Sequence, residues 1–219
     1  MRLNLPIVAG LLAPLLYAAN VAVFGGLTPG YSQIANAISE LNQPDAPYRN
    51  AVDSVFILYN LLIILFSLSL RREFAAIGAR VSALSVVILF LTGLFGVAMS
   101  TLFPMDPIGS DATFGGQMHL ILAGAESVGT ILSVYFFARS LRRGGEWRRL
   151  AGYSFLTLAV ILASGAFAAF AAWRASPVLG LWERITIGAF LLWIWILALT
   201  LAFAGRGEDT SYEDEEMDA

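Results

Sequence analysis

The sequence predicts an all-α, polytopic membrane bundle of six transmembrane helices. Three observations carry that prediction. The 219-residue chain is 58% hydrophobic and 13% charged, whereas globular domains average about 25% charged. Six stretches stay apolar over the roughly 20 residues needed to cross a bilayer. They lie at about 6–26, 51–70, 81–103, 118–138, 150–172 and 182–204. Finally, the arginines fall mostly on one side of these stretches.

The ends and loops on that side hold Arg2, Arg71, Arg72, Arg80, Arg139, Arg142, Arg143, Arg148, Arg149 and Arg206. The opposite loops hold only Arg49, Arg174 and Arg184. Ten against three places both termini in the cytoplasm of a multi-pass cell-membrane protein, as the excess of basic residues in cytoplasmic loops dictates. The first stretch is too long for a signal-peptide core, and no small-x-small cleavage site closes it. The transmembrane domain is therefore expected over 1–205. The remaining 206–219 reads as a disordered acidic cytoplasmic tail, because Glu208 to Ala219 holds seven acids and almost nothing apolar.

Composition excludes several chemistries. There is no cysteine, so disulfides, thiolate catalysis, iron–sulfur clusters and cysteine-bound zinc are out. All 13 basic residues are arginine, so no lysine can form a Schiff base. One histidine cannot supply the multi-histidine sets of catalytic zinc. No metal and no cofactor is expected. No basic run interleaved with aromatics points to nucleic acid. Membrane lipids are the expected surroundings, and the oligomeric state is left open.

Taken in order, the first span leads into a long outer connection, about 27–50, where bundle loops usually run two to eight residues. Thr28-Pro29 reads as a helix start. Tyr31, Ile34, Ala35, Ile38 and Leu41 then recur at helical spacing. A short amphipathic helix at the outer interface is expected there, ending at Asn42, Pro44 and Pro47. The other reading is a plain structured loop covering the bundle. Asp53 opens the second span and shares a face with Asn60, seven residues on. The third span carries Ser82, Ser85, Thr92, Gly93, Gly96 and Ser100. The fifth carries Ser164, Gly165, Ala168, Ala169 and Ala172. Small residues at such spacing let helices approach closely, and packing is their expected role.

The chemistry-bearing residues gather at the outer side. The third span closes at Phe103-Pro104, and the loop after it carries Asp106 and Asp111. In the fourth span His119, Ala123, Glu126, Thr130 and Ser133 stay within about 40° of one direction at 100° per residue. His119 and Glu126 then lie about 10 Å apart along the axis. A carboxylate at that depth costs a few kcal/mol and marks a functional site by default. Arg184, in GLWERI at the start of the sixth span, is the expected cation for Glu126, with Arg174 the alternative. On that reading Arg184→Ala impairs folding or ligand retention unless Glu126 is also neutralised. Glu40, Asp53, Asn60 and Ser100 complete an expected outward-facing polar cavity. Structural readings compete: His119 bonded to a loop carbonyl or an aspartate, Glu126 in a structural ion pair, and Asp106 and Asp111 as turn and cap residues.

Four short motifs carry a resemblance. They are ISEL (Ile38–Leu41) after the first span, FPMD closing the third, a histidine opening the fourth, and GLWERI opening the sixth. Together they resemble a prokaryotic family of six-helix membrane proteins of unknown function. They are distantly similar to the damage-regulated autophagy modulator and Sfk-type membrane proteins. The resemblance implies six helices over about residues 5–204 with both termini inside. It implies no established activity. Its recurrent positions fall on Ser39, Phe103, Pro104, Asp106, His119, Gly180 and Arg184.

Three functions follow for test. The first is a binding or regulatory protein holding a lipid headgroup or small amphiphile, with Arg184 pairing a phosphate or carboxylate. The second is an intramembrane hydrolase with His119 as general base, oriented by Asp106 or Asp111, activating Ser39, Ser100 or a water. It lacks a nucleophile motif such as G-x-S-x-G. The third is a proton-coupled transporter carrying its proton on Glu126, without the broken helix pairs that mark transporter sites.

Overall fold

The computed structural model describes residues 3–107, 109–142 and 144–204. The expected acidic tail at 206–219, together with Arg2, Arg143 and Arg206, lies outside them. Six α-helices follow one another: α1 Leu5–Leu27, α2 Arg49–Ala75, α3 Ala83–Thr101, α4 Phe114–Leu141, α5 Arg148–Trp173 and α6 Leu179–Phe203. Among the described residues there is no strand. All six are long and apolar enough to cross a membrane. The six spans read from the sequence differ from these by at most a few residues at each end.

Each helix packs on its neighbours in sequence, and α6 returns to α1, so the helices close a ring. The connections at 28–48 and 102–113 lie at one end, the loop end. Arg71, Arg72, Arg139, Arg142 and Arg148 lie at the other, the arginine end. Large apolar side chains such as Leu68, Leu120, Ile121, Leu156 and Phe170 point out of the ring, exposed by 58–66%. That surface needs lipid. The residues facing inward gain close packing rather than escape from water, because lipid tails are as apolar as leucine.

The arginine end is filled. Phe74, Phe137 and Trp193 are fully buried and meet edge to face, Phe74 on Phe137 at 5.4 Å and Phe137 on Trp193 at 5.2 Å. The Trp193 indole donates to Ser154 Oγ at 3.0 Å. Between α3 and α4, Ser85 Oγ donates to the Ser133 carbonyl at 2.8 Å and Ser133 Oγ returns to the Ser85 carbonyl at 3.0 Å. Such bonds hold membrane helices by about 0.6–2 kcal/mol each. Of the small residues expected to pack, Ser85, Thr92, Gly93 and Gly96 of α3 and Ser164 of α5 are buried, whereas Ala169 and Ala172 of α5 are exposed. The side chain of Asn60 occupies the place where a Cβ at Gly96 would stand, and Gly93 faces Ile64 and the Asn60 carbonyl.

The first connection differs from the expected amphipathic helix. Its only helical turn is a 3-10 turn, Ile38–Asn42. Thr28 caps the end of α1, its N–H and its hydroxyl both donating to the Phe24 carbonyl. Ile34, expected on one apolar face with Ile38 and Leu41, is 54% exposed while those two are buried. The physical reason is competition from short polar side chains. Ser32 N–H donates to Asn36 Oδ1 at 2.8 Å, and Glu40 takes the Ala37 N–H at 2.7 Å and the Asn36 amide at 2.7 Å. The three-residue period of a 3-10 turn then places Ile38 and Leu41 on one side. Both sink into a small second core with Val21, Val52 and Phe56.

Candidate functional site

The residues singled out at the loop end are brought together in two groups rather than one. The first group joins the 28–42 loop to α6. Gly180, Glu183 and Arg184 sit on the first turn and a half of α6. A helix start leaves main-chain N–H groups without helical partners. One of them, Leu181 N–H, donates to the Ile34 carbonyl at 2.9 Å. Glu183 reaches the other way and accepts the Ile38 N–H at 2.8 Å.

Arg184 holds the rest. Its Nε donates to Gln33 Oε1 at 2.7 Å. Its Nη1 donates to the Asn36 and Gly180 carbonyls at 3.0 and 2.9 Å, and its Nη2 to the Tyr31 hydroxyl at 2.6 Å. The Tyr31 ring also lies 5.6 Å from the guanidinium. Burial pushes the Tyr31 phenol above its usual range, against the pull of Arg184. Tyr31 therefore keeps its proton and donates it to the Ala37 carbonyl at 2.9 Å. Gly180 makes the closure possible, since a Cβ there would overlap the Asn36 carbonyl oxygen.

Arg184 is thus not the partner of Glu126. The ion pairs among the described residues are Arg49 with Asp53 and Arg72 with Glu73. A planar guanidinium has five N–H donors in a fixed fork. Four of them are taken by loop and helix acceptors that carry no charge.

The second group joins the 102–113 loop to α4. His119 is 5% exposed, and its Nδ1 lies 2.9 Å from the Phe103 carbonyl. A carbonyl only accepts, so Nδ1 carries the hydrogen. Asp106 accepts from Thr113 Oγ1 at 2.7 Å and from Thr113 N–H at 2.8 Å. Thr113 in turn caps α4 through the Gly116 N–H. The Asp106 carboxylate fills the place of a Cβ at Gly116, so glycine is required there. These Thr113 bonds, the hydroxyl first, hold the Asp106 carboxyl below the usual carboxylate range.

A folded pKa below the unfolded value near 3.9 gives stability that is complete above that value. It is lost as pH falls through the lower folded value. Asp106→Asn is therefore expected to flatten the acid limb of the stability curve below about pH 4. Thermal melts between pH 5 and 3 check this, and an unchanged slope would contradict it.

The remaining predicted residues are placed as follows. Asp53, half-buried, accepts from Asn42 at 3.2 Å and pairs with Arg49 at 3.5 Å, within the electrostatic reach of His119. Asn60 donates to the Phe56 carbonyl at 2.9 Å and packs on Gly96. Glu40 belongs to the first group. Ser39 and Ser100 are half-buried and Asp111 is exposed. Among the described residues, none of these three makes a side-chain hydrogen bond. No hydroxyl bonds to His119 among them either.

Sequence reasoning missed Gln33, Asn36, Tyr31 and Glu183 as partners in the α6 anchor. They lie 145–153 positions from their partners across the chain. The one available signal was Glu183 beside Arg184 at a helix start.

Beside the first group a groove of about 450 Å³ runs between α1 and α6. Ala18, Ala22 and Gly26 form its α1 wall and are exposed, so it opens at the surface of the bundle. Ile187, Gly188 and Leu191 form its α6 wall, and Arg184 with Gln33 stands at its loop end. Arg184 is the one charged side chain lining it.

Fold and site define a class: a multi-pass membrane protein of six spans whose two long loops are tied to helix starts by polar anchors. The chain belongs to the DUF998 family of proteins of unknown function, whose family model matches residues 11–201. No curated protein and no solved structure matches it.

Proposed function

We propose that this protein binds a membrane lipid or another small amphiphile with an anionic headgroup in the groove between α1 and α6, from the outer face of the membrane. The single observation that carries this reading is an apolar groove, open to lipid, with one guanidinium at its polar end. Its volume falls in the range of about 300–1,000 Å³ typical of small-molecule sites. The fifth N–H of Arg184, on Nη2, has no partner among the described residues, and the other four fix the guanidinium in place. A headgroup phosphate or carboxylate would take that donor as a charge-assisted hydrogen bond. Its acyl chain would lie along Ala18, Ala22 and Gly188.

The hydrolase reading gains less support, since His119 bonds a main-chain carbonyl and thereby holds a loop. The transporter reading meets the aromatic plug at the arginine end.

The test leaves the anchor intact and fills the groove. A Cβ at Gly188 meets nothing within 4 Å, so Gly188→Trp places an indole in the open space. Wild type purified gently from its membrane is expected to retain a stoichiometric anionic lipid in native mass spectrometry. Gly188→Trp is expected to lose it while keeping the wild-type melting temperature. Equal retention by the two, or retention of bulk lipids in membrane proportions, would overturn the proposal.

A further inference from the structure

Charge is divided unevenly along this chain. At the arginine end Arg71, Arg80, Arg139, Arg142, Arg148 and Arg149 are all exposed. Among the described residues none of the six makes an ion pair or a side-chain hydrogen bond. Arg72, beside them, pairs with Glu73 at 2.9 Å. That carboxylate is buried and is shared with the Asn4 amide, so it serves the bundle rather than its rim. The other described acid at this end, Glu146, is exposed and pairs with nothing among the described residues. Six guanidiniums thus share one free carboxylate.

The missing negative charge comes next in the sequence. α6 starts at the loop end and finishes at Phe203, at the arginine end. Residues 205–219 follow it and carry seven acids, from Glu208 to Asp218, and one arginine. The rest of the chain has nine acids for its other arginines. Fifteen residues can span at most about 50 Å. Neighbouring helices pack about 10 Å apart, so a ring of six is about 20 Å across between axes. Every arginine at this end is within reach of the acids.

We propose that the arginine end is a docking surface for the chain's own acidic segment, residues 208–218. Sign, number and position all match: seven carboxylates leave the bundle at the face where six guanidiniums lack anions. Guanidinium and carboxylate form paired, charge-assisted hydrogen bonds. Covalent attachment favours this occupant over a free anion, because tethered groups act at millimolar effective concentration. A single exposed pair holds little, so the contact needs several pairs at once and weakens with salt. While docked, the segment shields the guanidiniums from lipid phosphates. The surface lies at the opposite end of the bundle from Arg184 and the α1–α6 groove, so it stands or falls apart from them.

The chain has no cysteine, so spin labels go only where cysteine is introduced. Gly145→Cys, in the connection from α4 to α5 where an added Cβ meets nothing within 4 Å, and Ser211→Cys form the pair. Double electron–electron resonance reads their separation in the full chain, in an uncharged maltoside detergent. At about 0.01 M salt, where charges act over about 30 Å, a short and narrow distance distribution is expected. At about 1 M salt, where they act over about 3 Å, the distribution is expected to lengthen and to broaden about twofold. Replacing Arg139, Arg142, Arg148 and Arg149 together by glutamine is expected to give the broad distribution at low salt already. So is the set Glu213→Gln, Asp214→Asn, Glu215→Gln and Glu216→Gln, which leaves the bundle untouched and decides the matter if the arginine variant does not fold. A distribution equally broad at both salt concentrations, or a narrow one that survives either set of substitutions, would overturn the proposal. A broad distribution at low salt, with phosphatidylglycerol copurifying with wild type and lost from the arginine variant, would assign these arginines to lipid headgroups instead.

Discussion

Replacing Arg184 with alanine is expected to release residues 31–42 from α6 and to cost about 3 kcal/mol of stability. The guanidinium supplies four hydrogen bonds to that loop and to its own helix. Bonds to a charged group contribute about 1.5–3 kcal/mol each, but neighbouring bonds do not add fully. Losing the guanidinium also leaves Gln33 and the Asn36 carbonyl facing a void. Arg184→Lys is expected to recover little, because an ammonium has three donors on one atom and cannot span Gln33, Asn36 and Tyr31 together. Amide hydrogen exchange across 31–42 reads the release directly, and thermal melting reads the stability.

The same variant separates two accounts of Glu126. Were Arg184 its counter-ion, Glu126→Gln would rescue Arg184→Ala. In this structure Arg184 is held by Gln33, Asn36, Tyr31 and Gly180, and it does not pair with Glu126. The double variant is therefore expected to show the sum of the single effects, to within about 0.5 kcal/mol. Rescue would restore the pairing that the sequence suggested.

Gly180→Ala is the second large effect. Alanine normally stabilises a helix by about 1 kcal/mol over glycine. Here its Cβ would overlap the carbonyl oxygen of Asn36 and crowd the Gln33 carbonyl at 3.0 Å. Both are main-chain atoms and cannot rotate aside as a side chain can. The loop must lift from the helix, carrying with it the bonds to Leu181, Glu183 and Arg184. A net loss of about 2–3 kcal/mol is expected, in the range of overpacked sites. Gly188→Ala is the control on the same helix, where the added Cβ meets nothing and stability should hold or rise slightly. Equal melting temperatures for Gly180→Ala and Gly188→Ala would show that the contact does not hold the loop.

Much of this protein could be read from one dimension. Span number and span limits follow from where 20 apolar residues run together, a property of each segment alone. That His119, Glu126 and Ser133 share one face of α4 followed from helical spacing, because one helix fixes the angle between its own side chains. The resemblance carried by ISEL, FPMD and GLWERI led to the family that matches residues 11–201.

Other features needed the folded chain. The 28–42 loop has apolar residues at helical spacing, and nothing in that spacing signals that Ser32, Asn36 and Glu40 out-compete the helix for main-chain bonds. Arg184 and Glu126 look complementary in a linear sequence. Only the ring closure of α6 on α1 brings Gln33, Asn36 and Tyr31 to the guanidinium and commits it away from Glu126. The sequence by itself determined the spans and which side chains of one helix share a face, because local hydrophobicity and helical period decide both. The tertiary structure decided which polar groups meet, because a side chain's partner depends on distances between helices that no single segment encodes.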